Sequence, residues 1–315
     1  MQERTADTDE ERQIVPLEPG RAFCLVMACD AAYAMPLATS LRSLAESNPS
    51  LWPIDVRLLV DSFSPQEMRK IDDSLPNGSI MFTWTQVDLK MFSEYSTLRH
   101  VSPMTFARLL IPTVLGSDMT RVLYLDADTL VLGDLRPLWE MDLGGQTIGA
   151  VTDHADPKIH AKAPGFEEIP HVSKYFNAGM LLIDLQKWRK QGISEKALTY
   201  LEHHPHSPFS DQDALNVACC DRWAELESRW NFQNHFDHCI LNMPQQMRPD
   251  IIHFISQVKP WKPQFLSLNA SLHERYRRRT QYARSFRETV VDETTTARLK
   301  LKAALARWWA LLACG

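Results

Sequence analysis

The sequence predicts an α/β protein in which helices cover both faces of a doubly wound, mostly parallel sheet. Three observations predict this fold. Short apolar runs of strand length alternate with segments whose apolar residues recur at helical spacing. The runs are apolar throughout, which is typical of parallel strands with both faces buried. A chain of 315 residues with 44% hydrophobic residues can also supply the large core that such a fold requires.

The first elements follow the order β-α-β-α-β. A helix is predicted at residues 35–47, where three leucines recur at helical spacing. A second helix begins at the sequence SPQE, because Ser64 can act as N-cap and Glu67 can complete a capping box. The strands that alternate with these helices are predicted at residues 23–28, 54–60 and 80–87.

The same alternation continues through the middle of the chain, and no linker separates two domains before residue 265. Further strands are predicted at residues 122–125, 147–151, 179–183 and 251–254. Helices are predicted at residues 106–115, 194–203 and 211–219. We therefore expect one main α/β domain at residues 21–265, preceded by a disordered leader at 1–20 and followed by a separate segment at 266–315.

This C-terminal segment differs from the rest of the chain in charge. Residues 272–315 hold ten Lys and Arg against four Asp and Glu, although the whole chain has a formal net charge of −5. Helical spacing also places four apolar side chains on one face: Leu301, Leu305, Trp308 and Leu312. A basic amphipathic helical tail of this kind favours contact with an anionic membrane surface. Docking on the main domain is the alternative, and no nucleic-acid partner is expected.

The leader and the cysteines indicate the cellular compartment of the protein. The first twenty residues are polar and acid-rich, without the basic start and apolar stretch of a secretory signal. No run reaches the roughly 18 apolar residues of a membrane span. The six cysteines show neither a CxxC motif nor a disulfide-framework spacing, so we expect reduced thiols. These features predict a cytoplasmic protein, attached peripherally at the inner face of the cytoplasmic membrane.

Two carboxylates follow a buried strand in the sequence VLYLDADTL. Asp126 and Asp128, one residue apart at the strand end, can converge on a hard cation. Two close, ionised and unpaired carboxylates would be costly, so a cation or a shared proton is implied. The sequence also satisfies the DxDxT pattern of haloacid dehalogenase-type phosphatases, in which Asp126 would be the nucleophile and Asp128 the acid/base. Those enzymes carry the motif on their first strand, whereas three predicted strands precede it here.

Six segments in order resemble glycosyltransferase family 8, which includes bacterial lipopolysaccharide galactosyl- and glucosyltransferases and glycogenin. They are MACDAAYA, TFARLLIPTVL, RVLYLDADTLVLGDLRPLW, YFNAGMLLIDLQKWR, DQDALN and IIHFISQVKPW. The resemblance spans roughly residues 23 to 262. It implies a GT-A-type nucleotide-diphospho-sugar transferase fold and transfer of galactose or glucose from a UDP-sugar to a glycan or lipid-linked saccharide.

The resemblance also implies a metal and a UDP-binding site. Asp126, Asp128 and His253 match family ligands of Mn²⁺, and carboxylates with an imidazole suit Mn²⁺ better than Mg²⁺, which stays possible. Without the motif, His253 would instead be a satisfied core histidine. Three further residues match positions that bind the nucleotide. Lys259 corresponds to a lysine at the diphosphate, and Asp30 and Tyr33 correspond to residues that hold uracil.

Five residues match positions beside the donor sugar: Arg108, Asp153, Asn177, Asp211 and Gln212. Taken alone, Arg108 would pair with a surface carboxylate and Asp211 would be a helix cap. Family members retain the anomeric configuration. Gln212, an amide and a poor nucleophile, lies nearest the anomeric carbon by resemblance, which favours front-face transfer with Gln212 stabilising the sugar. Asp211 as a covalent nucleophile is the alternative, and a non-catalytic sugar-nucleotide binder is a third hypothesis.

Overall fold

The computed structural model describes residues 22–95, 102–153, 172–220, 222–234 and 240–313, without the side chains of residues 303 and 306–313. The predicted leader lies outside these residues. The strands are β1 Cys24–Cys29, β2 Ile54–Val60, β3 Ile80–Gln86, β4 Arg121–Leu125, β5 Thr129–Val131, β6 Ile148–Thr152, β7 Phe176–Asp184, β8 Ala224–Glu225, β9 Phe232–Gln233 and β10 Ile251–His253.

The α-helices are α1 Ala34–Ser47, α2 Pro65–Asp72, α3 Ile111–Val114, α4 Arg136–Trp139, α5 Leu185–Gln191, α6 Ile193–His203, α7 Asp211–Cys219, α8 Ala270–Arg277 and α9 Phe286–Ala313. Short 3₁₀ helices occupy Ala31–Tyr33, Pro49–Leu51, Lys90–Phe92, Pro103–Leu110, Ser228–Asn231, Ile240–Asn242 and Gln245–Met247. The predicted capping box at Ser64 and Glu67 is present at the start of α2.

The large sheet confirms the predicted fold class. Its seven strands have the order β3-β2-β1-β4-β7-β6-β8. Neighbours from β3 to β4 are parallel, whereas β7 runs antiparallel to both β4 and β6. The strand interiors are apolar and buried, and helices pack on them to form one main hydrophobic core. The carboxyl ends of β1 and β4 therefore lie at one edge, beside the start of β7.

A second, three-stranded sheet was not predicted, and it positions part of the site. Its order is β5-β10-β9, with β10 antiparallel to β5. In this register His253 pairs with Thr129, and the Phe254 amide donates to the Asp128 carbonyl at 3.1 Å. A residue far along the chain is thereby brought next to the two aspartates.

The predicted helix at residues 106–115 is present, but its first part is a 3₁₀ helix. The chain forms a 3₁₀ helix at Pro103–Leu110 and only then the short α3. Pro112 gives the reason. In an α-helix continuing from upstream, its ring would clash with the carbonyl of residue 108 and it could not donate a hydrogen bond there.

The C-terminal segment has two different parts. Leu272 and Tyr276 of α8 are buried in a small core with residues of the second sheet, so α8 packs on the body of the protein. By contrast, α9 exposes Phe286, Leu301 and Leu305. Among the described residues, no helix is both long enough and apolar enough to span a membrane. The four cysteines that the structure describes, at positions 24, 29, 219 and 220, are free thiols.

Candidate active site

A cavity of about 450 Å³ opens where β1 and β4 end. All eleven residues selected from the sequence line it: Asp30, Tyr33, Arg108, Asp126, Asp128, Asp153, Asn177, Asp211, Gln212, His253 and Lys259. Open α/β sheets bind ligands at the carboxyl ends of their strands, and this cavity lies at that edge. The structure thus brings the selected residues together, although the role of each stays a prediction.

Asp126, Asp128 and His253 form a cluster that can hold a metal ion. One ligand atom from each lies within 4.8 Å of the others. The His253 Nε2 atom is 3.3 Å from Asp128 Oδ1 and 3.7 Å from Asp126 Oδ2. Two hard carboxylate oxygens and one imidazole nitrogen suit a divalent ion such as Mn²⁺, so this donor set fits the metal that the sequence implies.

The His253 ring is fixed by a residue that the sequence analysis missed. Asn231 Oδ1 lies 3.1 Å from His253 Nδ1, and Asn231 Nδ2 donates to Asn177 Oδ1 at 2.9 Å. Because an amide oxygen only accepts, His253 Nδ1 donates to Asn231, and the ring is held with Nε2 toward the two carboxylates. Asn231 ends the short 3₁₀ helix Ser228–Asn231, which carries no motif, so no sequence pattern indicated it.

Replacing Asn231 by alanine should weaken metal binding without unfolding the protein. The His253 ring would lose the partner that accepts from its Nδ1 atom, and loss of such a partner lowers metal affinity roughly 10- to 100-fold. Titration of Mn²⁺ followed by electron paramagnetic resonance measures this. Asn242→Ala, at an exposed asparagine, is the matched control. Equal Mn²⁺ affinity in the two variants would contradict the role of Asn231.

Arg108 links two carboxylates inside the protein rather than pairing at the surface. Its Nη2 atom is 3.0 Å from Asp126 Oδ1, its Nε atom is 2.9 Å from Asp211 Oδ2, and its Nη1 donates to the Ala178 carbonyl at 2.6 Å. Burial alone would lower the pKa of Arg108, but the two carboxylates outweigh it and raise that pKa. The guanidinium therefore stays charged and holds both aspartates in place.

Asp211 is not a helix cap. The N-cap of α7 is Ser210, whose φ of 50° is unusual for a residue other than glycine, and Asp211 is the first helical residue. Its Oδ1 accepts from Thr105 Oγ1 at 2.7 Å. Burial raises the pKa of Asp211 to about 6, although Arg108 and Thr105 act in the opposite direction.

The stability of the protein should therefore depend on pH through Asp211. Its folded-state pKa lies above the ordinary value of about 4, so the folded chain binds more protons between pH 4 and 6. The stability contributed by this group falls as pH rises through that window. We expect the free energy of unfolding of wild type, minus that of Asp211→Asn, to fall by roughly 2–3 kcal/mol from pH 4 to 7. Urea unfolding at several pH values measures it, and a constant difference would contradict it.

Three side chains form the predicted sugar side of the cavity. Asp153 Oδ2 accepts from Asn177 Nδ2 at 2.9 Å and from Gln212 Nε2 at 3.1 Å. Gln212 Oε1 accepts from the Ala178 amide at 3.0 Å. Hydrogen bonds at both the oxygen and the nitrogen therefore fix the orientation of the Gln212 amide. Asp153 presents a carboxylate oxygen to the cavity as a fixed acceptor.

The rest of the DQDALN segment anchors this wall. Asp213 accepts from Tyr175 Oη at 2.5 Å and from Ser207 Oγ at 2.6 Å, and it is fully buried. Asn216 pairs with the backbone of Phe176 through both ends of its amide. Three polar residues of α7, Gln212, Asp213 and Asn216, therefore fix the start of β7 against this helix, and the sequence analysis gave a role only to the first of them.

Hydrogen bonds and an ion pair also fix the residues on the predicted nucleotide side of the cavity. Asp30 accepts from the Tyr33 amide at 3.2 Å and from Ser102 Oγ at 2.5 Å. Lys259 Nζ lies 2.7 Å from Asp128 Oδ2, with both side chains 12% exposed, so Lys259 is not a solvated loop lysine. Burial would raise the pKa of Asp128, but Lys259 and His253 outweigh it and hold that pKa well below its usual range.

Comparison with known proteins agrees with the resemblance found in the sequence. The family model described as glycosyl transferase family 8 matches residues 24–264. Glycosyltransferase GlyF of Streptococcus pneumoniae is 30% identical over 77% of this chain, which spans 58% of that protein. A lipopolysaccharide 1,3-galactosyltransferase of Salmonella typhimurium is 23% identical over 76% of this chain and 73% of its own. The solved structure of the galactosyltransferase LgtC with donor and acceptor sugar analogues superposes with a TM-score of 0.71 and 26% identity, covering 82% of this chain and 96% of that one.

Proposed function

Since this chain belongs to glycosyltransferase family 8, we propose that it transfers galactose or glucose from a UDP-sugar to a hydroxyl of a glycan acceptor, with retention of anomeric configuration. The observation that carries the proposal is the convergence of Asp126, Asp128 and His253 in one cavity with the predicted sugar-side residues. The family assignment does not favour the phosphatase hypothesis, and the aspartate pair follows β4 rather than a first strand.

One group of cavity residues would bind the nucleotide and stabilise the leaving group. Asp126, Asp128 and His253 would hold Mn²⁺, which supplies Lewis-acid stabilisation of the departing diphosphate. Lys259 lies beside Asp128 and contributes a second positive charge on the same side. Asp30 and Tyr33, at the end of β1, would bind the uracil, with the Asp30 carboxylate accepting from the base.

The state of Asp211 and Gln212 supports front-face transfer. Asp211 Oδ1 accepts from Thr105, and Oδ2 forms an ion pair with Arg108, so two partners hold this carboxylate in place. Gln212 lines the cavity, its amide is held by Ala178 and Asp153, and an amide is a poor nucleophile. In our proposal the sugar–phosphate bond breaks as the acceptor oxygen bonds to the anomeric carbon. The acceptor proton passes to the leaving phosphate, while Gln212 stabilises the cationic sugar.

The test is release of UDP from UDP-galactose and UDP-glucose by the full chain. We expect turnover with Mn²⁺, weaker turnover with Mg²⁺ and none with a chelator. Hydrolysis of simple phosphoesters, run in parallel, would detect a phosphatase. Tight binding of UDP without transfer to any saccharide would instead indicate a non-catalytic binder. Absence of both UDP binding and turnover would overturn the proposal.

We further propose a lipid-linked saccharide, such as lipopolysaccharide, as acceptor and a cytoplasmic protein attached peripherally at the inner face of the membrane. The similarity to a lipopolysaccharide galactosyltransferase supports the acceptor. The exposed Phe286, Leu301 and Leu305 of α9, among exposed basic residues, support contact of residues 272–315 with anionic lipid. Co-sedimentation with vesicles containing phosphatidylglycerol, but not with neutral vesicles, is expected. Equal recovery with both would contradict it.

A further inference from the structure

Arg284 lies outside the cavity and ties together three segments of the chain. Its Nη1 atom pairs with Glu274 of α8 at 2.5 Å, and its Nε atom pairs with Asp292 of α9 at 2.9 Å. Its Nη2 atom donates to the Trp261 carbonyl at 2.9 Å. The Arg284 side chain is only 14% exposed. A planar guanidinium with five N–H groups can make such a three-way contact, which a lysine ammonium cannot reproduce.

Trp261 belongs to the loop that follows β10, residues 255–262, which we term the nucleotide loop. The same loop carries Lys259, whose Nζ reaches Asp128 and the Phe254 carbonyl. The Trp261 ring packs edge-on against Tyr33, with centroids 5.8 Å apart, and its plane is tilted by 38° to the ring of His273 in α8, at a centroid distance of 5.2 Å. Trp261 therefore connects the predicted base-binding and diphosphate-binding residues to the C-terminal helices.

Two of the contacts on Trp261, those of His273 and Arg284, come from beyond the segment that defines the family match. That segment ends at residue 264, whereas His273, Glu274, Arg284 and Asp292 all follow it. His273 is buried, and its imidazole packs against both Trp261 and Phe254. Side chain and backbone of Trp261 are thus both held by the C-terminal segment, the first by His273 and the second by Arg284.

We propose that Arg284 is a positioning residue for nucleotide binding, which rests on the proposed use of a UDP-sugar. By fixing the Trp261 backbone, Arg284 holds the nucleotide loop closed, with Lys259 at the metal cluster and Trp261 against Tyr33. Without this contact the loop samples open arrangements, and the affinity for UDP falls in proportion to the fraction of closed loop. Asp292 of α9 pairs with the same guanidinium, so Arg284 links the exposed helix α9 to the nucleotide loop.

The decisive variant is Arg284→Met, with Arg278→Met as matched control. Arg278 also pairs with Glu274, at 3.4 Å, but it is 64% exposed and has no contact with Trp261 among those described. Calorimetric titration of UDP in the presence of Mn²⁺, on the full chain and well below its unfolding temperature, gives the affinities. We expect roughly tenfold weaker UDP binding for Arg284→Met and less than twofold for the control. Donor KM should rise more than kcat changes.

Arg284→Lys is a second test in case Arg284→Met fails to fold. It keeps a positive charge for Glu274 and Asp292 but cannot also reach the Trp261 carbonyl, so its UDP affinity should fall about threefold or more at unchanged melting temperature. Wild-type affinity in both Arg284 variants, with or without a lower melting temperature, would overturn the positioning role. If wild type itself binds no UDP, the proposed function fails instead, and the two failures are thereby distinguished.

Discussion

Asp126→Asn and Asp128→Asn are each expected to lower sugar transfer by roughly 100- to 1,000-fold or more, because each removes a charged oxygen from the cluster that faces His253. Asparagine keeps the volume of aspartate, so the fold should persist. Each substitution also leaves a buried cation without one of its partners, Arg108 in the first case and Lys259 in the second. Initial rates with UDP-galactose or UDP-glucose, together with Mn²⁺ titration, measure the effect.

Asp134→Asn is the control for these variants. Asp134 pairs with Arg136 on a partly exposed surface, and such pairs contribute about 0–1 kcal/mol to stability. Its activity should match wild type. If Asp126→Asn or Asp128→Asn kept more than a tenth of wild-type activity with unchanged dependence on Mn²⁺, the metal cluster would have no part in the reaction.

Gly179→Ala should abolish most activity although glycine carries no functional group. A Cβ atom at this position would collide with the His253 ring and come within 2.7 Å of Asp126 Oδ2. Both neighbours are ligand candidates, and the Gly179 carbonyl also accepts from the Asp126 amide at 2.9 Å. Relief of the clash must displace His253 or Asp126, so we expect at least a hundredfold loss of transfer and weaker Mn²⁺ binding.

Gly149→Ala separates this effect from simple overpacking. Gly149 of β6 is buried, and its added Cβ would come within 2.7 Å of Leu143 and 3.1 Å of Leu226, away from the cavity. Both variants should lose about 1–3 kcal/mol of stability. Only Gly179→Ala should lose Mn²⁺ affinity in proportion to activity. Similar activities in the two variants would show that Gly179 serves only core packing.

Local patterns were sufficient for six of the seven strands of the large sheet, for β10 of the second sheet and for one helix start. Apolar runs of strand length identified β1, β2, β3, β4, β6, β7 and β10, and the Ser64 capping box was correct, because these signals depend on residues a few positions apart. The short strands β5, β8 and β9 carry no such signal. Pro112 shows a further limit, since the helical pattern around it does not indicate that a 3₁₀ helix precedes α3.

The sequence by itself determined which residues can do the chemistry: an aspartate pair at a strand end and further motifs whose order resembles one family. Only the tertiary structure decided how they are held. The antiparallel register of β5 and β10 places His253 beside the aspartates, Asn231 contacts its Nδ1 atom, Gly179 leaves room for its ring, and Arg284 donates to the Trp261 carbonyl. Each of these contacts joins residues far apart in the chain. They depend on strand register and side-chain packing, which short-range periodicity does not encode.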